Sequence, residues 1–86
     1  MMIESHYPIA VRTLPDCRLH LKFDNGEERL FDVKPYLVSP FFAPLKSPHI
    51  FKTAHINPIT VEWYTGSGEI DICPDELYYN SVPYPQ

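Results

Sequence analysis

Basic residues run out early in this chain. All seven Lys and Arg fall between Arg12 and Lys52, and beyond them Glu62, Glu69, Asp71, Asp75 and Glu76 stand alone. A nucleic-acid binder needs a basic stripe that displaces counterions from phosphates, and the last third carries the opposite sign. Glycine is scarce as well. Gly26, Gly66 and Gly68 are the three in the chain, and they form no phosphate-cradling G-x-x-x-x-G-K loop. Gly66-Ser67-Gly68 lacks the strand-to-helix setting of a nucleophile elbow. The two cysteines, Cys17 and Cys73, make no C-x-x-C pair. The histidines, His6, His20, His49 and His55, fall into no zinc pattern. No apolar run approaches the roughly 18 residues of a membrane span. The start, MMIESHYPIAV, lacks the basic end of a signal peptide and carries Glu4 and His6. These absences lead us to expect no enzyme, no cofactor, no metal and no membrane. The expected setting is the cytoplasm, with reduced cysteines; a Cys17–Cys73 disulfide is the alternative.

Proline, by contrast, is abundant. Its 10 copies in 86 residues are about twice the ordinary share and exclude long helices and long unbroken strands. A chain this short forms one domain and buries only roughly 60–65% of its unfolded surface.

The clearest local pattern is CRLHLKFDNGEERLFDV, Cys17 to Val33. Cys17, Leu19, Leu21 and Phe23 alternate with Arg18, His20 and Lys22, the period of a half-buried strand. A two-residue Asn-Gly loop would set Lys22 opposite Arg29, and like charges directly opposite are destabilising. A three-residue loop, Asp24-Asn25-Gly26, sets Leu19 opposite Phe31, Cys17 opposite Val33, Lys22 opposite Glu28 and Arg18 opposite Asp32. It requires Gly26 in the left-handed conformation, which glycine adopts without a Cβ clash. We therefore expect the three-residue loop.

Around this hairpin the chain reads in order. Pro8–Leu14 is a strand with Ile9 and Val11 on one face, and Pro15-Asp16 is a turn, which makes a three-strand meander. Lys34–Leu37 and Ser39–Phe42 each offer at most one helical turn. Ser47 as cap with Pro48 first inside predicts a short helix from Pro48 to about Thr53. Ile59–Trp63 is a strand with Ile59, Val61 and Trp63 inward and Thr60 and Glu62 outward. It is followed by the loop Thr65–Gly68 and a return strand, Glu69–Ile72, to give a second hairpin. Cys73–Tyr78 is a helical turn opened by Pro74, with Asp75 and Glu76 at the positive end of its dipole. The fold class is α+β: a small curved antiparallel sheet, meander plus second hairpin, with one or two short helices on one side. Residues 1–79 form the domain, with 1–7 a loose lead-in, and 80–86 are an irregular proline-rich tail.

The order of LKFDNGEERLFDV, Phe42-x-x-Leu45, Phe51, Val61-x-Trp63 and Ile70–Tyr78 (IDICPDELY) resembles a family of small bacterial proteins catalogued as domain of unknown function 2442. The resemblance implies a small α+β domain with a curved antiparallel sheet. Members sometimes precede a helix-turn-helix domain, and gene neighbourhoods have suggested toxin–antitoxin pairs. The family supplies no catalytic or metal-binding residues.

The acidic last third has two readings, a solvated face or a surface for a basic protein. The functional expectation is a non-enzymatic protein-interaction module, antitoxin-like or regulatory, that takes a basic protein partner. Its candidate contacts are Tyr64, Glu69, Asp71, Asp75, Glu76 and Tyr79, with Tyr84 a further exposed aromatic. Self-association through an uncovered edge strand is the other partner reading. Accessory DNA binding through Arg18, Lys22 and Arg29, or a small-ligand site between helix and sheet, are the alternatives in function.

Overall fold

The computed structural model describes residues 6–85. Residues 1–5 of the expected lead-in, and Gln86 of the expected tail, lie outside the described residues.

The first hairpin takes the expected register. β2 (Arg18–Phe23) pairs with β3 (Glu28–Asp32), with Leu19 opposite Phe31, Lys22 opposite Glu28 and Arg18 opposite Asp32. The loop is Asp24-Asn25-Gly26, closed by Gly26 N–H to the Phe23 carbonyl at 2.9 Å, with Gly26 at φ +88°. The same register sets Arg29 beside Leu21, on the inward face.

β1 (Pro8–Leu14) completes the meander on the far side of β2. Its facing differs from the expected one. Pro8 is buried and Ile9 is 55% exposed, because a bulge between Pro8 and Ala10 inserts one residue into the ladder. Such an insertion flips the alternation ahead of it. At the other end of β1 the turn holds Asp16 at φ +68° and Cys17 at φ +57°.

Two 3-10 turns, Lys34–Val38 and Ala43–Lys46, carry the chain to helix α1 (Pro48–Phe51). α1 opens at Pro48 as expected and is shorter than expected. The Ser47 side chain does not cap it; the Ser47 carbonyl accepts from Phe51 N–H at 2.9 Å instead.

The second sheet is β4 (His55–Ile56), β5 (Val61–Tyr64) and β6 (Glu69–Ile72), all antiparallel. β5 begins two residues later than its apolar pattern suggests. The Asn57 side chain accepts from the Ile59 and Thr60 N–H groups at 2.9 and 2.7 Å, which bends the chain ahead of the strand. Ile59 is thereby left 57% exposed, whereas Thr60 is buried and donates its hydroxyl to the Ile72 carbonyl. The expected inward Ile59 and outward Thr60 are thus reversed.

Helix α2 (Pro74–Tyr79) follows β6, and the chain then returns to the first sheet. Residues 80–86, expected to be irregular, supply β7 (Val82–Pro83), which pairs with β3 and makes the strand order β1-β2-β3-β7. The class is α+β with antiparallel strands throughout, divided into two sheets. One core joins them: Leu19, Leu21, Phe23, Phe31 and Val33 from the first, Val61, Trp63, Ile70 and Ile72 from the second, closed by Leu45, Phe51 and Leu77.

A polar clasp fixes β7. Arg29 donates Nε–H to Ser81 Oγ at 2.6 Å and an Nη2–H to the Ser81 carbonyl at 2.8 Å, and pairs with Glu27 at 2.8 Å. Its guanidinium lies 4.8 Å from the centre of the Tyr78 ring. The Tyr78 hydroxyl in turn donates to Glu27, and this bond, with one from Asn25, holds the Glu27 carboxyl below the ordinary glutamate range. On the outer face Tyr84 stacks on His20 with ring centres 3.7 Å apart, and its N–H bonds the Glu28 carbonyl at 2.9 Å. Tyr84, read from sequence as an exposed contact residue, therefore serves the fold.

Candidate functional site

The period of two in β5 and β6 sorts their side chains. Val61, Trp63, Ile70 and Ile72 face the core, and Glu62, Tyr64, Glu69 and Asp71 face outward. Register sets Tyr64 opposite Glu69 and Glu62 opposite Asp71, and β4 adds His55 opposite Glu62. The result is an outer face with a tyrosine, a histidine and three carboxylates, and no Lys or Arg.

His55 is the residue that sequence reasoning missed here. Its Nδ1 lies 2.8 Å from the Thr53 carbonyl and its Nε2 lies 3.0 Å from Glu62 Oε1. Both ring nitrogens face acceptors, and only the imidazolium donates from both. The Thr53 carbonyl, and after it Glu62, push the His55 pKa above its ordinary value, with burial opposing. The ring stacks on Tyr64 at 4.3 Å. Thr53 also accepts the Tyr64 N–H at its hydroxyl, at 2.8 Å, and donates that hydroxyl to the Ile50 carbonyl at 2.7 Å. The tyrosine is thus set against both the histidine and the end of α1.

The side chains of Glu69 and Asp71 make no hydrogen bond or ion pair among the described residues and are exposed. They are the uncommitted charges of the face, since Glu62 is spent on His55.

The other three candidates sit on α2. Asp75 and Tyr79 are exposed, Tyr79 at 62%, and Tyr79 packs edge-on against Tyr78. Glu76 is committed to the fold: it accepts the Tyr36 hydroxyl at 2.6 Å and the Asn80 amide at 2.7 Å. Burial, and then this carboxylate, push the Tyr36 pKa up to about 12. The six candidates therefore fall into two groups of three, one on the β5–β6 face and one on α2, which follows β6 directly.

Among the described residues no group of three or more His, Cys, Asp or Glu is placed to hold a metal ion, and no helix is long and apolar enough to cross a membrane. Cys17 and Cys73 are both free thiols, the first half-buried and the second exposed.

Comparison with known proteins finds no match among curated proteins or solved structures. A family model does match, over residues 8–83, which takes in every strand from β1 to β7. The chain belongs to the family described as Protein of unknown function (DUF2442).

Proposed function

We propose that this protein is a non-enzymatic interaction module whose acidic β5–β6 face receives a basic protein partner. The observation that carries this reading is the pair Glu69 and Asp71, exposed and unpaired among the described residues, beside the His55-backed ring of Tyr64. Complementary charge steers encounter and sets orientation, and an aromatic held in place supplies contact area at little entropic cost. Asp75 and Tyr79 extend the surface onto α2. An antitoxin-like or regulatory role in a small bacterial operon, in the cytoplasm, fits a module of this kind. Nucleic acid fits it less well: Arg29 faces inward, and Arg18 and Lys22 sit opposite Asp32 and Glu28.

The test is retrieval of tagged protein from its host at low salt, followed by kinetics with the captured partner. A small basic protein in stoichiometric amount is the expected product. Glu69→Lys with Asp71→Lys should then slow association by about tenfold or more at low salt, with the melting temperature unchanged. Return of the protein alone, or an unchanged association rate, would remove this function.

A further inference from the structure

The strained turn between β1 and β2 borders a groove that the acidic face does not use. Leu14, Pro15, Cys17 and Pro48 line it above the buried Leu45 and Phe51, and Lys46 and Lys52 stand exposed beside them, around a space of about 400 Å³. That volume falls within the range of small-molecule sites, about 300–1,000 Å³.

Charge selects the occupant. Lys46 and Lys52 have no ion-pair partner among the described residues. Asp16, the one acid at the groove, pairs with Lys34, whose ammonium lies 3.1 Å from its carboxylate and 2.9 Å from its carbonyl and is shared with Asp32 at 3.1 Å. With two lysines to one aspartate, the lining is locally cationic on a chain of net charge −4. The walls are built from L-residues held at positive φ, Asp16 and Cys17, and backbone in that region persists only where its surroundings over-determine it. Here Lys34 and the Val33 N–H to Cys17 carbonyl bond, at 2.9 Å, do so.

We infer that this groove binds a small apolar monocarboxylate, its hydrocarbon body on Leu14, Pro15 and Pro48 and its carboxylate between Lys46 and Lys52. The site is separate from the acidic face, so it stands or falls independently of the proposed partner.

Cys17 serves as a built-in reporter. It lines the groove, and the exposed Cys73, which does not, is the internal reference. The intact protein is alkylated with iodoacetamide with and without decanoate, and the two cysteines are followed by mass spectrometry. Saturating decanoate should slow Cys17 relative to Cys73 by about tenfold, since only the unoccupied fraction reacts. Decanol should protect far less, and Lys46→Glu with Lys52→Glu should abolish protection; if that pair melts early, Lys46→Gln with Lys52→Gln repeats the test. Equal protection by decanol would overturn the anion assignment. An unchanged Cys17 rate would overturn the site. Protection that grows with protein concentration in the absence of ligand would overturn it in favour of a second copy of the chain covering the groove.

Discussion

Replacing Ser81 by alanine tests how the C-terminal strand is held. Ser81 is 6% exposed, and its hydroxyl accepts Arg29 Nε–H at 2.6 Å while donating to the Tyr78 carbonyl at 2.7 Å. The Arg29 side chain is 14% exposed, so water cannot readily replace the lost acceptor. A hydrogen bond to a charged group contributes about 1.5–3 kcal/mol. Arg29 keeps its bonds to Glu27 and to the Ser81 carbonyl, which places the expected loss near the middle of that range, about 2 kcal/mol. In a domain of this size about 1 kcal/mol moves the melting temperature by 4–8 °C, so a fall of about 8–16 °C is expected. Urea titration followed by the fluorescence of the buried Trp63 measures it, and a double-mutant cycle with Arg29→Met isolates the pair, with a coupling of about 1–2 kcal/mol. A loss below about 0.5 kcal/mol, or strictly additive single variants, would refute the clasp.

Two further outcomes are expected. Gly26→Val should cost about 1–3 kcal/mol; a Cβ there meets nothing within 4 Å, so the penalty is conformational alone, and Gly26→Asn should recover part of it in the same titration. The raised His55 pKa makes stability pH-dependent: its contribution is complete below the ordinary value of 6.5 and is lost as pH rises through the higher folded-state value. Urea midpoints of the parent should therefore fall across that window relative to those of His55→Gln, and parallel curves would rule out the doubly donating imidazolium.

The register of the first hairpin is legible in sequence because the signals agree. Glycine sits where positive φ is needed, and only one loop length sets Lys22 against Glu28 rather than Arg29. The facing of Ile9 and Ile59 is not legible, since each depends on an event outside the alternation, a bulge in β1 and the Asn57 side-chain turn ahead of β5. β7 is hidden for another reason. It is two residues long and one of them is proline, and what holds it is Arg29, which bonds the neighbouring Ser81 from 52 residues earlier in the chain. Of the candidate site, the outward carboxylates and Tyr64 follow from period two, but His55 does not. Its part depends on β4 lying beside β5, a pairing of two residues that no local propensity announces.

The clasp on β7 also has a consequence in time. Proteins made on the ribosome fold from the N-terminus as they emerge, and here the outer edge of β3 has no partner until residues 82–84 are clear of the tunnel. Until then the Arg29 guanidinium lacks both of its Ser81 acceptors, and a strand with unpaired backbone groups is open to wrong neighbours. The first hairpin can therefore form ahead of its lock, which closes only once residues 81–84 have emerged.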